Sequence, residues 1–332
     1  MTNEPMKLTP AHKAIAALIL ANIIWGAAPA TFKLALENIP PFTLAFWRFF
    51  LGSLVMIPIL KGNIWFRPKS VGDIGLLFFN ALSGITVNIA FFFIGLTLTK
   101  SINAAVIASS APIMTFAVAI LLLREKFIAK KFTGMILGFI GILIIILEPI
   151  LTEGLDVSIL GNIFFVLATL GAVGGTISGR SLFQKYNPLV LSFWCFVIGS
   201  LTFLPLAVNE YVKMPTLYTL LDWRGYTGIL FGSLLSTAAA YSLFNWGLSK
   251  IRASDASLFT YIDPVVGSLL GVALLQEPIS LFFLAGGAFI FLGIFIAEGH
   301  IHYHPIHLFG QNYHLDGSSH PTRKKSRRKR AS

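Results

Sequence analysis

Charged residues and cysteine are both scarce in this chain of 332 residues. Lys, Arg, Asp and Glu together make up 12% of the sequence, whereas soluble domains carry about 25%. A soluble globule of this length needs more polar residues to cover its surface. Because 55% of the residues are hydrophobic and the mean hydropathy is +0.78, the composition predicts an integral membrane protein.

Several kinds of reactive site are also missing from the sequence. Cys195 is the only cysteine, which excludes a disulfide within the chain and a metal cluster of cysteines. It stands in an apolar run, as a small buried hydrophobic residue does. The predicted spans contain no histidine and no paired carboxylates, and the chain has no P-loop. We therefore expect no enzyme activity, no cofactor and no metal site in the membrane region.

Ten apolar stretches along the chain are each near the roughly 20 residues that a helix needs to cross a bilayer. We expect them at 13–34, 41–60, 73–97, 102–123, 131–149, 158–178, 188–208, 225–247, 253–275 and 279–297. Prolines and polar residues mark the joints between them. The sequence therefore predicts an all-α integral membrane protein with ten transmembrane helices, preceded by a short cytoplasmic N-terminus over residues 1–12.

Positive charge is distributed unevenly between the connections. The even-numbered connections hold eleven Lys and Arg residues, whereas the odd-numbered ones hold three. Because Lys and Arg concentrate in cytoplasmic loops, this asymmetry predicts that the even connections and both termini face the cytoplasm. The motif "AAPA" (27–30) could pass for a signal-peptidase site, but we expect the first segment to stay as a permanent helix.

The sequence repeats itself in two halves. The stretch "PFTLAFWRFFLGSLVMIP" (41–58) matches "PLVLSFWCFVIGSLTFLP" (188–205) at an offset of 147 positions. Later matches, such as Pro112 with Pro264 and Glu125 with Glu277, have an offset of 152. Each half, 13–149 and 158–297, holds five predicted helices. Because five is odd, the second copy must enter the membrane upside down, which is the construction of many secondary transporters.

The motif "LLLRE" (121–125), followed by a glycine-rich segment, resembles the EamA domain. Its second copy reads "DASLFTYIDPVVGSLLGVALLQEPISLFFLAGGAFIFLG" (255–293). The resemblance covers the chain to about residue 298 and is to ten-helix members of the drug/metabolite transporter superfamily. It implies a bacterial inner-membrane carrier for amino acids or other small metabolites. Unlike the small multidrug-resistance proteins of that superfamily, the first segment carries no acidic residue, which argues against export of hydrophobic cations by their route.

Arg48 lies well inside the second predicted helix, in "AFWRFFLGS" (45–53). An ionisable group inside a membrane span is costly and indicates function, with a partner to be named. Asp263, in the ninth helix, is expected within about 5 Å of the same depth. Three interpretations of Arg48 stay open: a buried pair with Asp263, contact with a carboxylate of the cargo, or snorkelling to the outer interface. Asp263 either handles an amine or a proton, or caps the kink at Pro264.

Polar residues form stripes at helical spacing on three of the predicted helices. They are Asn22, Trp25 and Gly26 on the first, Asn80, Gly84 and Asn88 on the third, and Ser233, Thr237, Tyr241 and Asn245 on the eighth. Such stripes line a polar cavity or form hydrogen bonds between helices. We favour a cavity with aromatic walls. The predicted substrate-binding residues are Trp25, Arg48, Asn88, Tyr241 and Asp263.

The C-terminal segment 299–332 has a different composition from the rest of the chain. It contains six of the seven histidines, and its stretch "TRKKSRRKR" (322–330) holds seven of the 25 Lys and Arg residues. The "HIHYHPIH" spacing (300–307) would allow metal binding if extended, but we expect a disordered cytoplasmic tail. Its charge favours anionic lipid at the inner leaflet rather than nucleic acid.

These patterns together predict a secondary transporter that moves a small polar metabolite, such as an amino acid or a derivative, by alternating access. A proton is the expected candidate for the coupling ion. The alternatives are a nucleotide-sugar or drug carrier of the same fold, or a membrane enzyme or lipid-handling protein. The oligomeric state stays open, with a homodimer among the options.

Overall fold

The computed structural model of the chain describes residues 10–114, 118, 129–152, 158–248 and 258–298. These residues are helical apart from short connections and turns. We number the helices in chain order: α1 (Pro10–Leu36), α2 (Pro41–Ile59), α3 (Val71–Leu98), α4 (Ser101–Ala108), α5 (Ala129–Thr152), α6 (Ser158–Lys185), α7 (Pro188–Lys213), α8 (Trp223–Gly247), α9 (Ile262–Leu275) and α10 (Leu281–Glu298). After a turn at Ser109 and Ser110, residues 111–114 are again helical.

Six helices of the described chain are long and apolar enough to cross a membrane. They are His12–Leu36, Pro41–Ile59, Val71–Leu98, Ser158–Gly179, Pro188–Lys213 and Trp223–Gly247. Three shorter apolar helices cover Phe132–Glu148, Phe259–Leu275 and Leu281–Ile296. The predicted fourth span, 102–123, is described only in part, and the tail 299–332 lies outside the described residues. The all-helical class is therefore confirmed for the described chain, while ten spanning helices stay a prediction.

Several helices begin at residues that satisfy free backbone amides. Ser70 precedes α3, and its hydroxyl accepts a hydrogen bond from the amide of Asp73 at 3.2 Å. Asp222 precedes α8 and accepts from the amide of Arg224 at 2.8 Å. Pro41 opens α2, where a missing amide hydrogen costs nothing. These signals fix where the connections end, and so they fix which residues lie within the apolar spans.

Helices α3 and α8 each contain a π-helical segment near the middle, at Leu82–Val87 and Phe231–Ala239 respectively. Each segment contacts a glycine of the other sequence half. A methyl group added to Gly52 in α2 would lie 2.6 Å from Cγ2 of Thr237, and one added to Gly199 in α7 would lie 2.6 Å from Cγ2 of Ile85. Gly52 and Gly199 are equivalent at the 147 offset, and Ile85 and Thr237 at the 152 offset. The two π segments therefore have matching neighbours.

Polar contacts between connections also come in matched sets. After α1, Asn38 accepts a hydrogen bond from the amide of Asp222, which precedes α8. At the equivalent position, the end of α6, Lys185 forms an ion pair of 3.0 Å with Asp73 at the start of α3. This contact raises the pKa of Lys185, chiefly through the hydrogen bond to Asp73. The first of these contacts joins the α1–α2 connection to the α7–α8 connection, and the second joins the α6–α7 connection to the α2–α3 connection. Odd-numbered connections therefore contact odd-numbered ones, and even-numbered connections contact even-numbered ones.

Helices α5 and α10 pack closely through glycine. A methyl group added to Gly141 would lie 2.5 Å from the carbonyl oxygen of Gly286, and one added to Gly293 would lie 2.5 Å from that of Gly134. Gly134 and Gly286 are equivalent in the sequence repeat, as are Gly141 and Gly293. The contact is therefore reciprocal, with the same residue types on both sides. Small residues permit such close backbone approach between membrane helices.

We predict that Gly141→Ala destabilises the protein because its new methyl group meets backbone atoms, which cannot rotate away. Overpacking of this kind costs about 1–3 kcal/mol. Gly75→Ala is the matched control, since nothing lies within 4 Å of the added methyl group at that position of α3. Thermal unfolding of both purified variants in detergent measures the difference. Equal melting temperatures for the two variants would contradict the close α5–α10 contact.

Candidate functional site

Arg48 of α2 lies in the interior, where only 3% of the residue is exposed. Its Nε donates a hydrogen bond of 3.0 Å to Oγ1 of Thr237, and its Nη2 donates one of 3.0 Å to Oγ of Ser236. Its guanidinium carbon lies 4.9 Å from the ring centre of Phe32 and 5.0 Å from that of Phe49. Rings at this distance stabilise a cation through their electron-rich faces. Both hydrogen-bond acceptors belong to the π-helical segment of α8.

No carboxylate neutralises Arg48 within the described residues. The ion pairs found there join Lys33 with Glu277, Lys100 with Glu148, Lys185 with Asp73, and Arg224 with Glu37 and Asp222. Arg48 and Asp263 are both described, and they do not form the pair that the sequence left open. Burial also excludes snorkelling of Arg48 to the interface in this conformation. Contact of Arg48 with a carboxylate of the cargo stays a prediction.

Trp25 and Tyr241 meet beside the same π-helical segment. The indole Nε1 of Trp25 donates a hydrogen bond of 3.0 Å to the backbone carbonyl of Ser236. The rings of Trp25 and Tyr241 contact edge to face, with their centres 5.0 Å apart. Tyr241 is also close enough to Arg48 for electrostatic interaction. Three of the five predicted site residues, from α1, α2 and α8, are therefore brought together around Ser236.

Asn88 lies elsewhere, at the contact between α3 and α6. Its Nδ2 donates to the carbonyl of Ala168 at 2.7 Å, and Nδ2 of Asn80 donates to that of Gly175 at 2.5 Å. These carbonyls are within reach because Gly84 and Gly175 let the two backbones come close. For α3, the structure supports hydrogen bonds between helices rather than the favoured cavity lining. A substrate contact by Asn88 stays a prediction.

Asp263, in the first turn of α9, faces α1. A methyl group added to Gly26 would lie 3.0 Å from the backbone carbonyl of Asp263. The carboxyl Oδ1 of Asp263 is enclosed and has no hydrogen-bond partner in the described part of the chain. The structure therefore places Asp263 beside the segment that carries Trp25, but outside the hydrogen bonds of Arg48.

Two polar clusters were not predicted from the sequence. In the first, Cys195, which stands where the first repeat has Arg48, is buried and donates from its Sγ to Oδ1 of Asn80 at 3.2 Å. In the second, Glu277 pairs with Lys33 at 3.0 Å and accepts from the amide and the hydroxyl of Ser101 at 2.7 and 2.9 Å. Glu277 thus caps α4 from the connection between α9 and α10. Glu277 matches Glu125 in the sequence repeat, and this match was the signal from which the cap could have been predicted.

Comparison with known proteins gives matches along nearly the whole described chain. The model of the EamA-like transporter family matches twice, over residues 12–147 and 159–298. An uncharacterized transporter of Archaeoglobus fulgidus is 30% identical over 279 residues, covering 84% of this chain and 96% of that protein. The uncharacterized transporter YetK of Bacillus subtilis is 27% identical, with 85% of this chain and 86% of YetK covered.

More distant similarity extends to plants and to a solved structure. A WAT1-related chloroplastic protein of Arabidopsis thaliana is 25% identical over 85% of this chain and 68% of its own length. A crystal structure of another protein superposes with a TM-score of 0.57 at 17% identity, covering 86% of this chain and 96% of that one. At this identity the superposition shows a shared fold alone.

Long apolar helices that bury an arginine and hydrogen-bonded amides between them define a multi-pass membrane protein. The two family matches and the archaeal relative go further: the chain belongs to the EamA-like transporter family, and the resemblance seen in the sequence is confirmed. It is therefore a membrane transporter, a class whose members generally are not enzymes.

We predict that Thr237→Val destabilises the wild-type protein but has little effect once Arg48 is replaced by Met. Hydrogen bonds to charged groups contribute about 1.5–3 kcal/mol, so the first effect falls in this range. Stability measurements on the single and double variants in detergent form the required cycle. If the effects of the two substitutions on stability are additive, the contact between Arg48 and Thr237 contributes nothing to the stability of the protein.

Proposed function

We propose that this protein is a ten-helix, inverted-repeat secondary transporter whose cargo is a small polar metabolite with an anionic group, such as an amino acid or a derivative. One observation carries this proposal: Arg48 is buried with no acidic partner among the described residues. A buried charge is stable only when it is paired or well hydrogen-bonded. The anionic group of the cargo supplies the missing countercharge when it binds.

The geometry of Arg48 supports binding of an anion at one end of the guanidinium. Nε and Nη2 are occupied by Thr237 and Ser236, whereas Nη1 donates to no described residue. A carboxylate that accepts from Nη1 forms a charge-assisted hydrogen bond without displacing the other two. Trp25 and Tyr241 then provide the apolar wall for the rest of the cargo. Asp263 would face an amine or carry a proton, and Asn88 would contact the cargo only from the α3–α6 side.

Matched contacts in the two halves support alternating access. The π segments of α3 and α8 face equivalent glycines from the opposite half, and the α5–α10 contact is reciprocal. The family model also matches the chain once in each half. In a structure built this way, the two five-helix halves, 13–149 and 158–297, exchange conformations to open the site to either side.

The membrane orientation is part of the same proposal. Odd connections meet odd ones and even meet even in the described polar contacts, which supports an alternating chain path. With the positive charges on the even side, both termini lie in the cytoplasm and the protein lies in the inner membrane. The basic tail 299–332 would then meet anionic lipid.

A nucleotide-sugar carrier of the same fold is the second candidate. The arginine that binds a carboxylate also binds a phosphate, because both are anions with matching oxygen geometry. Arg48 therefore favours nucleotide sugars over cationic drugs. Cargo size separates this candidate from the first, since both share the anionic contact.

We predict that amino acids, other organic acids or nucleotide sugars raise the melting temperature of the purified protein and that Arg48→Met abolishes this shift. Loss of one partner of a buried charge pair costs at least about 2 kcal/mol, which corresponds to roughly 30-fold weaker binding. Arg67→Met is the matched control, because it removes the same charge from an exposed position between α2 and α3. Uptake of each binding compound into proteoliposomes then tests transport.

Two results would contradict the proposal. One is binding of an anionic compound with equal affinity by the wild-type protein and the Arg48→Met variant, provided that both are folded. The other is chemical turnover of a lipid or metabolite by proteoliposomes without any uptake, which would indicate an enzyme or a lipid-handling protein instead.

A further inference from the structure

Two enclosed side-chain oxygens without partners lie on neighbouring helices. Oδ1 of Asp263 on α9 and Oδ1 of Asn22 on α1 form no hydrogen bond in the described part of the chain. Asn22 is 0% exposed, and its Nδ2 is already bound to the carbonyl of Leu18 at 2.7 Å. Gly26 follows Asn22 by one helical turn on the same face and packs against the backbone of Asp263. Because unpartnered buried oxygens are costly, this pair requires an explanation.

The backbone departs from α-helical geometry at two places near this region. A 3-10 turn, Leu258–Tyr261, precedes α9, and α4 is interrupted by the turn at Ser109 and Ser110. Positions 109 and 110 correspond to 261 and 262 at the repeat offset of 152. Helices α4 and α9 pack together, with an added methyl on Gly267 lying 2.7 Å from Cβ of Ala105. In secondary transporters, irregular helical segments at equivalent places in two repeats are typical of coupling-ion sites.

No cation faces Asp263 from the described elements that contact α9. Helix α4 carries no titratable residue over Ser101–Ala108, and the 3-10 turn carries Tyr261. The titratable residues of α1 are His12 and Lys13 near its start, and Lys33, which pairs with Glu277. An ionised carboxylate whose Oδ1 is enclosed and which faces no described cation is unfavourable in a membrane interior. A mobile positive species that binds Asp263 would remove this cost.

We propose that Asp263 and Asn22 form a proton-binding site between α9 and α1. The proton adds to a carboxylate oxygen of Asp263, and the resulting O–H donates a hydrogen bond to the amide oxygen of Asn22. Both unpartnered oxygens are thereby satisfied by one hydrogen atom, and no charge remains in the interior. Loss of the proton to water on either side leaves an ionised Asp263, which draws water or a cationic group toward α1.

The site differs from the anion contact at Arg48, and its role in coupling rests on the proposed transport function. Trp25 connects the two, because it lies between Asn22 and Gly26 on α1 and donates to Ser236, whose hydroxyl accepts from Arg48. A change in the Asp263–Asn22 contact moves the segment that holds the aromatic wall. Proton binding and anion binding can therefore influence each other through α1.

Infrared spectroscopy of the purified full-length protein in lipid nanodiscs tests the site without any cargo. We expect the C=O band of a protonated carboxyl at neutral pH in the wild-type protein and its loss in Asp263→Asn. In Asn22→Leu the same band shifts to higher frequency, because loss of the hydrogen bond strengthens the C=O bond. Asp73→Asn is the control: Asp73 pairs with Lys185 at 3.0 Å, so its removal leaves the protonated band in place.

Absence of the protonated band at neutral pH, or its persistence in Asp263→Asn, would overturn the proposal. If the band is absent and NaCl raises the melting temperature of the wild-type protein more than choline chloride does, with the difference lost in Asp263→Asn, the site binds a metal ion instead of a proton. Because no cargo enters these measurements, their failure leaves the role of Arg48 untested. Failure of anion binding at Arg48 likewise does not affect the infrared result.

Discussion

A guanidinium held among aromatic rings, with no acidic partner among the described residues, is the constraint on which the site depends. Arg48 cannot lose its charge at any ordinary pH, and 3% exposure keeps it from bulk water. Two hydroxyl groups of α8 and the faces of two phenylalanines offset part of the cost. This arrangement fixes α2 against the π-helical segment of α8. One end of the guanidinium, Nη1, donates to no described residue.

The repeated frame around Arg48 explains how one half can carry a charge that the other lacks. Gly52 and Gly199 pack on equivalent residues of the two π segments, so the helix contacts are the same on both sides. The polar residues at the equivalent places differ: Arg48 bonds to Thr237, whereas Cys195 bonds to Asn80. Duplication therefore sets the packing, and single substitutions within it produce an asymmetric site.

Composition and periodicity predicted the helical class, most helix positions and the matched halves, because these depend on local apolar runs and on residues visible in one sequence. Trp25, Arg48 and Tyr241 were recognised because polar and aromatic residues inside apolar runs are easy to see; the structure brings them together, and their contact with a substrate stays a prediction. The partners of Arg48 and Asn88 were not predictable, because they depend on how α8 and α6 rotate against their neighbours. The π segments likewise have no signature in the local sequence, and the only signal for the Glu277 cap was the match of Glu277 with Glu125 in the repeat.

The central claim is that Arg48 binds the anionic group of the cargo. An experimental structure with an anionic compound bound, chosen from those that stabilise the protein, tests it most directly. We expect the anionic oxygen within hydrogen-bonding distance of Nη1 of Arg48, with the bonds to Ser236 and Thr237 retained. A bound anion that contacts other groups, while Arg48 keeps only its contacts within the protein, would contradict the claim.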